Sequence, residues 1–234
     1  MLKHIAFLVL GPVIVSGTAL AQSGPARVAW APSDTGSCTQ CALSGHDLSG
    51  WNISNGDYAG ANLTGANLYR LSASGAQLPG ITATGADFRK ATLDNSNLVQ
   101  ADMTGAILNQ ASLIGANMDR AVLRSAKLHS AKLIGATLTG ADLVSINASL
   151  VDFSGANLTG ADFSFAALSG ASFDNAILTG TSFATADLTG AKIRDSRLIN
   201  VIFTGVAGLD SIDFEGSCTG GSTQLPDYIS LPGC

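Results

Sequence analysis

The chain is predicted to be all-β, a solenoid of short stacked strands, on three observations. From Cys41 to Gly205 it divides into 33 consecutive five-residue units without one slip of frame. Each unit alternates apolar, polar, apolar and then supplies a turn-prone pair. All four cysteines, Cys38, Cys41, Cys218 and Cys234, fall where the frame begins or ends. A unit this short buries its apolar side only against its neighbours, so repetition itself implies stacking.

The alternation is read from the five positions. Position 3 is Leu in 19 of the 33 units and Phe in six: Phe88, Phe153, Phe163, Phe173, Phe183 and Phe203. Position 1 is Ala in 21 units, and position 2 is mostly Asp, Asn, Ser, Thr or Lys. Apolar residues flanking a polar one over three residues are strand-like. Gly, Ser and Thr dominate positions 4 and 5, and Gly takes the positive φ that a sharp corner demands. A helix is excluded, because period five rotates successive apolar residues by about 140° and no stripe forms.

Three exceptions at position 3 predict that positions 1 and 3 share one interior. Ala73, Ala83 and Ala148 replace the usual large residue, and position 1 of the same units becomes large: Leu71, Ile81 and Ile146. Gly56 opposite Tyr58 is the complementary trade. Conserving volume in this way is what a close-packed core tolerates best.

The motif A-(D/N)-L-x-x, as in ANLTG (61–65), ADMTG (101–105) and ADLTG (186–190), resembles the pentapeptide repeat family over 165 of 234 residues. The resemblance implies a right-handed quadrilateral β-helix with four units per square coil, position 3 inward and position 2 outward. The repeat region 41–205 then makes about eight coils, a rod ~40 Å long at the usual strand spacing. Residues 20 apart should stack. Phe163, Phe183 and Phe203 form one such series, Phe153 and Phe173 another on the opposite wall.

Before the repeat, Lys3 and His4 precede an apolar run from Ile5 to Val15, and Ala19-Leu20-Ala21 fits a small-x-small cleavage site. Residues 1–21 are therefore expected to be a signal peptide, with the mature chain starting at Gln22 and exported to the periplasm or extracellular space. No stable membrane anchor is expected. Residues 22–40 are expected to form an irregular cap, with Trp30 covering the first coil. Trp51 at position 1 suggests distorted or wider first coils. After the repeat, residues 206–234 should form a partial coil and cap, in which Ile212–Gly216 reads as one more unit displaced by one residue.

An even cysteine count behind an export signal suggests disulfides. With the ends ~40 Å apart, bridges across the rod are impossible. The expected pairs are Cys38–Cys41 and Cys218–Cys234. The CxxC of 38–41 lacks the helix N-terminus of a redox site. A zinc site of Cys38, Cys41 and His46 lacks a fourth local ligand, and c-type haem attachment fails because Ala42 follows Cys41. No catalytic residue, metal or cofactor is expected. His129 lies near Arg124, Lys127 and Lys132, with no nucleophile and acid implied around it.

The outer face is the candidate interaction surface. On four-unit coils one wall carries Asn62, Asp102, Asp142 and Asp162. Another is mostly uncharged, with Gln77, Asn97, Asn117, Thr137 and Asn157. Arg120, Arg124, Lys127 and Lys132 band the middle of the rod. The formal net charge of −5, with bases interspersed, argues against a nucleic-acid binder. The expected function is a non-catalytic exported solenoid, a structural or protein-interaction module. The family resemblance also implies an alternative, an acidic DNA mimic bound to a type II topoisomerase, which the export signal disfavours. A CxxC redox protein is the other alternative.

Overall fold

A computed structural model describes residues 38–234. The expected signal peptide, the start at Gln22 and the role of Trp30 lie outside the described residues. Parallel bridges join position 2 of each unit to position 2 of the unit 20 residues later, beginning Ala42↔Asn62, Asp47↔Asn67, Asn52↔Ser72 and Asp57↔Gln77. These are four ladders, one per wall of a β-helix. The first wall runs from Ala42 to Ile202, the second from Asp47 to Ala207, the third from Asn52 to Asp213 and the fourth from Asp57 to Arg197. Where the fourth ladder ends, two three-residue strands pair in parallel, β1 (Arg197–Ile199) with β2 (Cys218–Gly220).

The coil follows from four hydrogen bonds repeated in nearly every unit. In the unit 61–65, the Leu63 N–H donates to Thr82 O, the Gly65 N–H to Thr84 O and the Asn62 N–H to Cys41 O, all between coils. The Ala66 N–H donates to Leu63 O at 2.9 Å and closes the corner. Position 5 is the third residue of that turn and has positive φ in every unit of the frame, as a type II turn requires. Glycine is preferred there but not obligatory: 16 other residues of the frame adopt φ between 52° and 62°. Leu150 (φ 59°) and Phe165 (φ 62°) are the costly ones, since bulky side chains rarely enter this region. Leu150 is accommodated because Gly170 sits above it, where a Cβ would come within 2.8 Å of Leu150 Cδ2.

That leaves the N–H of position 4, which points along the wall with no coil partner. The side chain of position 2 accepts it. Thr64 N–H donates to Asn62 Oδ1 at 3.0 Å, Thr104 N–H to Asp102 Oδ1 at 3.0 Å and Thr159 N–H to Asn157 Oδ1 at 3.1 Å. Where position 2 is not Asp or Asn, an acceptor comes in four units from position 4 one coil earlier. Ile114 N–H donates to Asp94, His129 N–H to Asn109, Thr139 N–H to Asp119 and Arg194 N–H to Asp174, at 2.9–3.2 Å. The position-2 residues of those units are Ser112, Lys127, Thr137 and Lys192. Pro79 solves the problem differently: it has no N–H and suits the second residue of the turn.

Inside, positions 1 and 3 form one continuous core. The paired swaps are buried together: Leu71, Ile81 and Ile146 are 1% exposed and Ala73, Ala83 and Ala148 fully buried. Phe153 and Phe173 stack at 5.3 Å, as do Phe163 and Phe183, and Phe203 extends the second series at 5.6 Å. The two series meet edge-on across the core, Phe153 to Phe163 at 5.4 Å and Phe173 to Phe183 at 5.4 Å. These geometries suit the ring quadrupole. Buried hydroxyls at position 1 are satisfied by backbone: Ser96 donates to Leu93 O and Thr181 to Leu158 O. Tyr58 differs, because its buried hydroxyl has no partner and burial pushes its pKa up to about 12.

The ends depart from expectation in two ways. Repeat geometry already holds at Cys38, inside the segment expected to be an irregular cap. Gln40 has φ 57° and the Cys38 N–H donates to Asp57 O, so Cys38 occupies a position 3 that the apolar pattern does not reveal. The first coil keeps regular bridges, so Trp51 does not widen it. Trp51 and His46 are half-buried at the rim instead. The displaced unit 212–216 joins the third wall as Lys192↔Asp213, as its pattern predicts, so the first three ladders hold nine bridging residues each and the fourth eight before β1 pairs with β2. The extra residue is absorbed by a 3-10 turn, Leu209–Ser211. Among the described residues no helix is long and apolar enough to cross a membrane.

Three outcomes are expected. Leu71→Ala leaves a cavity beside Ala73 and costs about 2–5 kcal/mol in chemical denaturation; a loss below about 0.5 kcal/mol, typical of surface changes, contradicts the shared interior. Tyr58→Phe removes an unpaired buried hydroxyl and raises the unfolding free energy by about 1 kcal/mol; a loss of similar size means the hydroxyl is satisfied. The Thr104 hydroxyl on Asp102, the Arg194 guanidinium on Asp174 and the Thr189 hydroxyl on Asp187 hold these carboxyls below their ordinary 3.8. Their contribution is therefore complete above 3.8 and lost as pH falls through the lowered values. The urea midpoint should stay level from about pH 7 to about pH 5 and drop below about pH 4. Asn at positions 102, 174 and 187, which keeps an acceptor but cannot titrate, should flatten that drop.

Candidate interaction surface

The outward residues of the first wall are Ala42, Asn62, Thr82, Asp102, Val122, Asp142, Asp162, Ser182 and Ile202. Asp102, Asp142 and Asp162 do share this wall, but Val122 separates the first two. Each carboxylate also caps its own corner, accepting from Thr104, Val144 and Ser164 N–H respectively. Asp102 accepts the Thr104 hydroxyl as well, at 2.7 Å. Asp142 meets Arg124 Nε at 2.6 Å. The acidity of this wall is thus engaged within the coil and crossed by a cation.

The basic band does not converge. Arg124 lies on the first wall against Asp142. Lys127 sits on the second wall between Ile107 and Asn147, and Lys132 on the third between Ser112 and Asp152. Arg120 occupies a corner with φ 55°, beside a shallow cleft of about 330 Å³ shared with Val99, Gln100, Asp119 and Thr139. Outward positions on different walls of a square coil cannot address one small ligand. The fourth wall, uncharged only between Asp57 and Arg197, carries its own ladder: Asn97 Nδ2 donates to Gln77 Oε1 at 3.0 Å and the Thr137 hydroxyl to Asn117 Oδ1 at 3.1 Å.

Sequence reasoning missed two tight ion pairs. Arg89 forks onto Asp87 at 2.6 Å and lies 5.8 Å from the Tyr69 ring, which Arg70 approaches at 5.2 Å. Arg194 meets Asp174 at 2.6 Å and Asp213 at 3.8 Å. Offsets of two residues within a unit, or twenty between coils, would have signalled both. Such half-exposed pairs contribute little stability.

The cysteines pair at opposite ends. Cys38 is bonded to Cys41 with Cα atoms 5.5 Å apart, and Cys218 to Cys234 at 5.0 Å. Cys38 and Cys41 flank one corner turn, closed by Cys41 N–H to Cys38 O. Their disulfide lies where position 3 of one unit meets position 1 of the next. His46 Nδ1 donates to Ser44 O. Among the described residues no group of three His, Cys, Asp or Glu could hold a metal.

Comparison with known proteins places this architecture. The chain matches the description "Pentapeptide repeats" in eight copies, over residues 47–82, 74–110, 108–140, 138–175 and 166–205. A search of curated proteins returns no match. Among solved structures, a trypsin-treated form of QnrB1, a plasmid-mediated fluoroquinolone resistance protein, is similar with a TM-score of 0.68 and 18% identity, over 82% of this chain and 93% of that one. HetL, a pentapeptide repeat protein involved in heterocyst differentiation regulation in Nostoc sp. Strain PCC 7120, gives 0.49 and 25% identity over 80% and 90%. A pentapeptide repeat protein of the Arabidopsis thaliana thylakoid lumen gives 0.24 and 29% identity over 46% and 68%. At 18% identity the likeness to QnrB1 is one of fold. The matched repeats run through more than half of the chain in step with its four ladders, and the chain belongs to the pentapeptide repeat family.

Proposed function

We propose that the chain is an exported, non-catalytic β-helical module that serves the envelope or extracellular space as a structural or protein-interaction element. The observation that carries this reading is the pairing of all four cysteines, one disulfide at each end of the rod. Such pairing fits an oxidising compartment, in agreement with the apolar N-terminal run and its cleavage pattern. The outer polar groups support the non-catalytic part. Among the described residues most position-2 carboxylates and amides are held by their own corner amides, which fits a structural use of the outer wall.

The same facts weigh against the two alternatives. A DNA mimic needs a sustained row of negative charge, whereas the acidic wall is broken by Val122 and neutralised at Asp142 by Arg124. A CxxC redox centre draws its reactivity from a stabilised thiolate, whereas Cys38 and Cys41 clamp a β-corner with no helix beside them among the described residues.

Alkaline phosphatase fused after residue 60 is expected to be active outside the cytoplasm, where its own disulfides form. A fusion that stays inactive in the cytosol overturns the export reading.

A further inference from the structure

The C-terminal end of the rod carries an open strand edge. In full coils, position 1 accepts from the coil above, and positions 3 and 5 donate to it. In the last layer of the first wall those groups are Val201 C=O, Phe203 N–H and Gly205 N–H. None of the three has a partner among the described residues. The corresponding edge of the fourth wall is closed by the chain itself: Thr219 N–H donates to Pro232 O, Cys234 N–H donates to Thr219 O, and Thr219 bridges Gly233 in parallel. This end therefore already accepts an added strand on one wall and lacks one on another.

The open edge borders a cleft of about 350 Å³ lined by Ile202, Phe203, Thr204, Leu209, Leu225 and Pro226, within the size range of ligand sites. Ile202 is 47% exposed. Phe203 (7%) and Leu209 (9%) are the least covered residues of the core. Charge then selects the occupant. Residues 201–234 contain Asp210, Asp213, Glu215 and Asp227 and no Lys, Arg or His. Asp210 and Asp227 directly follow the lining residues Leu209 and Pro226, and both are exposed.

We infer that this end binds an extended, basic segment of a partner protein by strand addition on the first wall. The segment's amides and carbonyls pair with Val201, Phe203 and Gly205. Its inward side chains cover Phe203 and Leu209, and its flanking Lys or Arg residues face Asp210 and Asp227. Backbone pairing supplies affinity and alternate side chains supply selectivity, as in other edge-binding domains, and the acidic rim steers cations toward the edge. The inference rests on the interaction-module reading and names its surface.

The test uses the full chain, a fluorescent peptide Lys-Thr-Val-Thr-Val-Lys, a glutamate-flanked version and a version N-methylated at alternate residues. Anisotropy should show the lysine peptide binding at least about tenfold tighter than the glutamate peptide, a preference that salt weakens. N-methylation should abolish binding. Hydrogen exchange at Phe203 and Gly205 amides should slow when the lysine peptide is bound, and Asp210→Asn with Asp227→Asn should erase the charge preference while leaving the fold intact. Unchanged exchange at both amides overturns the proposal, as does equal binding of the N-methylated peptide. Protection confined to a side wall also overturns it while leaving the interaction-module reading standing. Protection that grows with protein concentration without peptide, together with a doubled mass, assigns the edge to a second copy and overturns it too.

Discussion

A square coil must turn a corner every five residues, and that corner sets most of what the chain can be. Each corner needs a positive φ at position 5 and leaves the position-4 N–H without a neighbour in the coil. A buried or wall-lying amide without an acceptor is costly, and in more than half of the units a side chain supplies one. Position 2 supplies it when it is Asp or Asn, and position 4 of the previous coil supplies it at Asp94, Asn109, Asp119 and Asp174. The polar character of the outer wall is therefore in large part a structural requirement. This changes how the exterior should be read for function. A row of aspartates that would otherwise suggest a binding face is a row of caps, and Asp102, Asp142 and Asp162 all belong to it.

The interior obeys a different constraint. Four walls face one another across a narrow core, so the volume added at one position must be removed at another. The trades at Leu71 with Ala73 and Ile146 with Ala148 satisfy this within a unit. The phenylalanines satisfy it between walls, with Phe153 and Phe173 stacked on one side and Phe163, Phe183 and Phe203 on the other, meeting edge-on. Tyr58 marks the limit of the device. Gly56 makes room for its ring, but nothing accepts its hydroxyl.

Local and strictly periodic features were legible in the sequence: the frame, the swaps, the phenylalanine series and the displaced unit at 212–216. Features that depend on two residues twenty apart were harder to see. The relay from Asp119 to Thr139 joins two positions that look unremarkable singly and become a pair only once the coil is known. Cys38 was hidden for another reason. Its side chain enters the core as half of a disulfide, so it carries no apolar signature and the repeat seemed to begin three residues late. Leu150 and Phe165 violate the corner's preference for small residues, and only the geometry shows that the backbone keeps φ near 60° there regardless. The candidate site was the least legible part, because Arg120, Arg124, Lys127 and Lys132 are close in sequence yet point away from different walls and corners.

The two ends of a solenoid are where this logic stops, since a terminal coil has donors and acceptors but no next layer. Exposed edges of this kind invite pairing and are normally covered. Here the tail covers the fourth wall with a strand and lays Leu225, Ile229 and Leu231 against the core, and the Cys218–Cys234 disulfide ties that tail to the coil it covers. The first wall of the same layer is left open, beneath a cleft and beside the exposed Asp210 and Asp227. Along the sides, the outer polar groups already serve the coil's own corners, and new contacts must compete with those bonds. At the open end they need not, so a partner gains backbone hydrogen bonds there without displacing any. That asymmetry, rather than any side-wall pattern, makes the C-terminal edge the part of the rod best suited to recognition.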